Sequence, residues 1–380
     1  MQQGDVIDIG CGTATTSYVE VQGNAFYCSL GDFVAYVDSD LFPYLTSELG
    51  QFSLAVVMSH EWGHAIQARV GYEDPRPIYM EQQADCFAGA WTAHVARGES
   101  ATLTITDQDL KNALTAMIFV RDEPGTTMEV DPLAHGSAFD RVGAFEDGFV
   151  NGAEKCAQYQ DQKPKIVQFP YEGSFQENAP FDDTDAGIFS ILSTTLNTYF
   201  PAQVPGMPQP TIGFYTGSPA DVCEPQPKST IFSVAFYCPA NDTVWVEQDN
   251  ARTIYDRQDL GDFGVGYVVA TAWAEAAMDT LGSTVTGEER ALAADCLVGA
   301  YSYDMLPASV NGIPDVDPTT NEGLRAVLSP GDLDEAVSTA ILAGDDSEDE
   351  DDNGTPFQKI SSFRLGVLQH FEACQAQFGL

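Results

Sequence analysis

Apolar and polar positions alternate over two short stretches near the start of the chain, Tyr18–Val21 and Phe33–Val37, and again over Ile231–Phe236 and Thr243–Val246. A period of two marks half-buried strands, so each pair predicts a small β-sheet. Helical spacing of apolar residues follows each pair. The predicted helices span about 51–70, 79–97, 107–121 and 137–158, then about 262–280, 288–303, 331–343 and 355–376. In the fourth of these, Phe139, Val142, Phe145 and Phe149 share one face, and Ser137 supplies an N-cap. Residues 161–184 are rich in proline and polar residues and read as a linker. A further helix, about 186–199, opens the second set and has no counterpart in the first, so the chain is expected to begin inside its first domain. The pattern predicts an α+β protein of two domains, 1–160 and 185–380, each a small sheet followed by about four helices.

The two domains repeat each other. Ala84-Asp-Cys-Phe-Ala-Gly-Ala90 returns 210 residues later as Ala294-Asp-Cys-Leu-Val-Gly-Ala300, and Tyr27-Cys28 returns as Tyr237-Cys238. Residues 136–156 match 354–374 without a gap at an offset of 218. The added eight residues are assigned to the acidic run 344–354, read as a solvated loop. All eight cysteines fall on the repeat and none forms a CxxC pair, which favours disulfides in an oxidising compartment. If each copy staples itself alike, the bridges are Cys11–Cys28, Cys86–Cys156, Cys223–Cys238 and Cys296–Cys374. In each copy the first two cysteines are expected to flank a β-hairpin.

Charge narrows the partners. Sixteen Lys and Arg against 57 Asp and Glu leave a formal charge of −41. Nucleic-acid backbones are bound by neutralising phosphates, so this chain is expected to bind none. Docking on an anionic leaflet is disfavoured too. No apolar run is long enough to span a bilayer. The cysteines place the protein outside the cytosol, extracellular or in the cell envelope, with any export signal or anchor absent from this sequence.

The chemistry is expected in the first copy. His60-Glu61-Trp62-Gly63-His64 is an H-E-x-x-H motif in an apolar helical run. Residues i and i+4 share a helix face, so His60 and His64 can reach one ion, with Glu61 beside them as a general base. Glu81, on the next helix, is a candidate third ligand, and His, His, Glu is an established zinc set. Asp85, at i+4 from Glu81, can accept a hydrogen bond from a ligand imidazole. The second copy acts as an internal control. At the places of His60, Glu61, His64 and Glu81 it carries Thr271, Ala272, Glu275 and Ala291, while Asp85 persists as Asp295. One zinc ion, in the first domain only, is therefore expected. His135 becomes Asn353 and is a candidate oxyanion donor, with Tyr79 a second candidate. His94 and His370 read as exposed helix residues.

Tyr27-Cys28, His60-Glu61-Trp62-Gly63-His64 with Gln67, Glu81-Gln-Gln-Ala-Asp-Cys-Phe-Ala-Gly89, His135-Gly136-Ser137 and Cys156 occur in one order. This order resembles the bacterial family called "putative neutral zinc metallopeptidase", over about 11–156 and more faintly over 186–376. The ligand pattern is similar to that of gluzincins. The resemblance implies two metallopeptidase-like domains, the second degenerate and catalytically dead, and hydrolysis of a peptide or protein substrate through zinc-activated water. The copies are expected to pack as a pseudo-symmetric pair, with the second domain docking substrate or a partner. Two other readings share these residues: hydrolysis of a non-peptide amide, and a non-catalytic binding or scaffold protein of the cell envelope.

Overall fold

The computed structural model describes residues 6–8, 10–11, 15–17, 23–39, 41–128, 131, 134–170, 178–182, 184, 186–224, 234–307, 310, 328–345 and 353–380. It is an α+β structure in two compact units, residues 1–167 and 168–380. Among the described residues, no helix is long and apolar enough to cross a membrane.

In the first unit, β1 (Val6–Asp8) pairs antiparallel with β2 (Thr15–Ser17), and β3 (Ala25–Cys28) with β4 (Phe33–Tyr36). The predicted strand Tyr18–Val21 lies outside the described residues. The β3–β4 turn places Asp32 at φ 53°, a conformation Asp tolerates, and the Tyr27 hydroxyl donates to its carboxylate. Four helical stretches follow: α1 (Leu41–Val70), α2 (Pro77–Ala96), α3 (Asp107–Phe119) and α4 (Ala138–Asn151), with the short α5 (Ala153–Gln158) behind them. α1 starts ten residues before the predicted helix and bends at Gly50, φ 76°. Its first segment exists because Leu41 and Leu45 bury against Ala25 and Val57. The predicted helix 137–158 is broken at Gly152, whose φ of 77° no helix accommodates. Ser137 caps α4, accepting from the Asp140 amide.

The close crossings depend on glycine. A Cβ on Gly63 would lie 2.7 Å from Ala84 Cα, and one on Gly89 would lie 1.8 Å from the Phe145 carbonyl oxygen. Only hydrogen at these places lets α1 approach α2, and α2 approach α4. Cys86–Cys156 staples the second crossing. Residues 161–167, expected in the linker, pack on this unit. Lys163 pairs with Asp74 and the Tyr72 hydroxyl, and the Val167 amide donates to the buried Asp140 carboxylate.

The second unit opens with α6 (Ile188–Gln203) and β5 (Thr211–Tyr215). β6 (Ala235–Cys238) and β7 (Thr243–Glu247) form the antiparallel pair, and β5 adds to β7 in parallel, giving the order β5-β7-β6. Of the predicted strand Ile231–Phe236, residues 231–233 lie outside the described residues. Then come α7 (Gln248–Tyr255), α8 (Gly261–Leu281), α9 (Gly287–Asp304), α10 (Asp332–Ala343) and α11 (Pro356–Phe378). Gly299 and Gly366 repeat the close crossing, and Cys296–Cys374 its staple. α11 breaks at His370, φ 69°. His370 packs on the Tyr303 ring and is half-buried, so it is not the exposed helix residue expected.

The other bridges are Cys11–Cys28 and Cys223–Cys238. No hairpin lies between Cys11 and Cys28 among the described residues. Cys11 sits in the β1–β2 connection and Cys28 ends β3. The added length of the second unit is not in its acidic run. The α9–α10 connection, 305–331, is longer than its counterpart 97–106, whereas 344–355 is shorter than 120–137. One longer and one shorter connection, rather than one longer acidic loop, account for the shift in offset.

Candidate metal centre

α1 carries His60, Glu61 and His64, and α2 carries Glu81 and Asp85. The Gly63–Ala84 contact brings the two helices together at that level. His60 Nε2 and His64 Nε2 stand 3.1 Å apart. Glu81 faces both, its Oε2 3.2 Å from His60 Nε2 and its Oε1 3.4 Å from His64 Nε2. One donor atom from each residue lies within 4.8 Å of the others. The buried Glu81 Oε2 has no hydrogen-bond partner. Two imidazoles and a carboxylate with one orphaned oxygen, aimed at one point, fit a divalent cation of zinc's preferences.

Each donor is held from behind. The buried Asp85 carboxylate lies 2.6 Å from His60 Nδ1. His64 Nδ1 lies 2.9 Å from Gln67 Oε1, and Gln67 Nε2 donates to the Met80 carbonyl and to Gln83. Gln83 in turn donates to the Cys156 carbonyl, at the disulfide. Asp85 is itself gripped by Arg141, whose Nε and Nη2 donate at 3.0 and 2.8 Å while its Nη1 donates to the Val120 carbonyl. Such a shell fixes tautomer and ring angle before any ion arrives.

Spacing along the sequence assigns no role to Arg141 or Gln67. The available signal for Arg141 was its recurrence as a cation: Lys359 stands 218 residues later, and its Nζ donates to Asp295 at 2.8 Å.

The electrostatics follow from burial and these contacts. Burial opposes charge on His60, but Asp85 and Glu81 outweigh it and push the imidazolium pKa up to about 10. Burial also opposes ionisation of Glu81, yet the facing imidazoles hold its carboxyl well below the usual range. Asp85 is likewise lowered, by Arg141 and His60 against burial. Glu61 moves the other way. Burial raises it, against the two histidines.

These residues open on a cleft of about 780 Å³, lined also by Ala25, Tyr27, Val57, Met80, Arg121 and His135. His135 stands at its rim, half exposed, with Nδ1 3.3 Å from Asp122. Asp122 raises the His135 pKa, and its carboxylate also accepts from the Gly136 amide. Tyr79 is buried beneath Arg76 and does not line the cleft. His94 is half-buried on α2 and pairs with Glu99, so it is not fully the exposed helix residue expected.

The corresponding place in the second unit is filled by side chains. The Tyr267 hydroxyl donates to Asp295 at 2.5 Å, and Arg290 pairs with Glu275. Burial outweighs Lys359 and Tyr267 and raises the Asp295 pKa. A second acidic group, Asp262, Asp332 and Glu335, lies at the start of α8.

Residues 74–161 match the family model described as "Putative neutral zinc metallopeptidase". That span contains Glu81, Asp85, His135 and Arg141 and begins after His64. The chain is 30% identical over 171 residues to "Uncharacterized protein Rv2575" of Mycobacterium tuberculosis, covering 38% of this chain and 56% of that protein. It is 30% identical over 171 residues to "Uncharacterized protein Mb2605" of Mycobacterium bovis, with the same coverage. It is 29% identical over 167 residues to "Uncharacterized protein YpfJ" of Escherichia coli K12, covering 38% of this chain and 54% of that protein. The chain thus spans just over half the length of these relatives. No solved structure matches it.

Proposed function

We propose that the first unit is a zinc-dependent peptidase domain, 1–160, joined by residues 161–184 to a diverged, catalytically dead copy, 185–380. The convergence of His60 Nε2, His64 Nε2 and the orphaned Glu81 carboxylate, with Glu61 beside them in a cleft, carries this reading. His60, His64 and Glu81 hold one zinc ion. When bound, zinc supplies Lewis acidity toward a carbonyl oxygen and toward water.

The remaining work falls to this chain's own side chains. Glu61, kept proton-hungry by burial and set in the cleft wall, accepts a proton from the attacking water at its carboxylate. The same carboxyl then returns that proton to the departing amine. His135, its Nδ1 turned to Asp122 and its charge favoured there, offers a donor to the oxyanion from the cleft rim. Asp85 and Arg141 hold His60, and Gln67 holds His64. The matched family and the four disulfides support a hydrolase working outside the cytosol.

A peptide library incubated with the full chain, with and without chelator, tests the reading. Cleavage that stops on chelation and returns with zinc is expected. Partner binding without any chelator-sensitive cleavage would favour a non-catalytic binding protein instead.

A further inference from the structure

Trp62, Ile66 and Val70 lie one turn apart on α1 and are 61%, 37% and 62% exposed. None of them lines the cleft. Scattered exposed apolar residues are ordinary, but a tryptophan continued by two aliphatics along one helix face marks a contact surface.

The second unit shows what covers such a face. The residues 211 further on from Trp62 and Ile66 are Trp273 and Ala277, both fully buried. They are buried because α6 lies across α8 and α9. Asn197 Oδ1 accepts from Trp273 Nε1 at 3.0 Å. Thr195 hydrogen-bonds the Tyr301 hydroxyl at 2.7 Å, and the Tyr199 and Phe200 rings pack on the Tyr301 ring. In the first unit the place of Tyr301 is taken by Trp91, which is half-buried.

A separate observation points to the same segment. After α6 the chain runs directly into β5, which pairs in parallel with β7 and makes β7 the central strand. In the first unit the counterpart of β7 is β4, and among the described residues β4 pairs only with β3. Among the described residues nothing pairs with its outer edge, which can serve as a template for strand addition. One helix and the strand after it thus cover, in the second unit, the two surfaces that no described residue covers in the first.

We propose that the Trp62–Ile66–Val70 face and the free edge of β4 form one docking seat. Its occupant is a polypeptide segment that folds as a helix followed by a parallel strand, with the chemistry of residues 187–215. It brings apolar side chains at i and i+4, as Leu192 and Leu196 do, and a side-chain carbonyl for the Trp62 indole N–H, as Asn197 does. The inference rests on reading the second unit as a diverged copy, and not on hydrolysis. Because α1 also carries His60, Glu61 and His64, an occupied seat would brace the helix behind the cleft.

The test adds a synthetic peptide of residues 186–216 to the full chain carrying Glu61→Gln, which prevents cleavage of the probe, and follows amide exchange. Saturable protection of residues 33–36 and 59–70 is expected. Trp62→Arg, an exposed substitution, should abolish it, and peptide carrying Asn197→Ala should bind several-fold more weakly. No protection, or protection unchanged by Trp62→Arg, overturns the proposal. Protection confined to 243–247 and 261–281 also overturns it, since the peptide would then only exchange with its own native copy. Protection present without peptide and lost on dilution assigns the seat to a second chain and overturns the stated occupant. Zinc content and peptide cleavage by the parent chain are untouched by these outcomes, so the peptidase reading stands or falls separately.

Discussion

Arg141→Met removes the cation that holds Asp85 while keeping an apolar side chain of similar length. The site is dry: Asp85 is fully buried and Arg141 is 3% exposed. The change deletes two hydrogen bonds to Asp85 and one to the Val120 carbonyl. Asp85 is left as a buried carboxylate whose remaining partner among these is the imidazole of His60. Breaking one side of a buried ion pair costs about 3–5 kcal/mol, because the abandoned charge keeps its desolvation penalty. Lysine at the same place works in the second unit, where Lys359 reaches Asp295 with a single donor. Arg141→Lys should therefore recover one charged hydrogen bond, worth about 1.5–3 kcal/mol, and restore part of the loss. The assay is denaturant unfolding in chelator, read by amide exchange over residues 79–95 so that only the first unit reports. A loss below about 1 kcal/mol for Arg141→Met, far under the expected range, or Arg141→Lys no better than Arg141→Met, would refute the buried-pair argument.

Four further outcomes follow from the same geometry. Glu61→Gln should keep its zinc and lose roughly 10²–10⁴-fold in peptide cleavage; activity within a few-fold of the parent reassigns the base. Elemental analysis should find one zinc per chain, and His60→Ala with His64→Ala should remove it; two ions per chain would place a metal in the second unit. Replacing Cys86 and Cys156 by alanine opens a loop of sequence separation 70, which should cost roughly 4–5 kcal/mol by chain entropy; an unchanged unfolding midpoint would contradict this. Burial and the neighbouring Asp332 and Asp262 push the Glu335 pKa up to about 10, so its contribution is fully present below the ordinary carboxyl pKa and is lost as pH rises toward 10. Glu335→Gln should accordingly stabilise the second unit more at pH 8 than at pH 4, and the reverse order would sink the assignment.

The parts legible in the sequence were those written in local spacing or written twice. His60 and His64 share a face by a spacing of four, as do Glu81 and Asp85, and no tertiary knowledge is needed to place them together. The cysteine pairing could be anticipated because each copy carries the same four positions. Arg141 was hidden because its partner lies 56 residues away and only the crossing of α2 and α4 joins them. The breaks at Gly152 and His370 were hidden for a different reason. Apolar periodicity continues across both, and a histidine at positive φ carries no compositional warning. β5 was missed because its exposed and half-exposed positions do not alternate cleanly; it is a strand by virtue of pairing with β7.

The second unit also argues that the fold of the first does not need its metal. Both units cross their helices at paired glycines, staple the crossing with one disulfide, and bury one aspartate against one cation from the helix it crosses. Where the first unit presents His60 to that aspartate, the second presents the Tyr267 hydroxyl. The aspartate therefore has a framework role that does not depend on a histidine partner, and in the first unit it also holds His60. Zinc-dependent folding arises where ligation supplies what a core cannot. Here the core, the bridges and the buried pair already do so, so chelation should empty the site and leave the amide protection of α2 and α4 in place. Loss of that protection on chelation would make the metal structural, and the long-range hold of Arg141 on Asp85 too weak to organise the site alone.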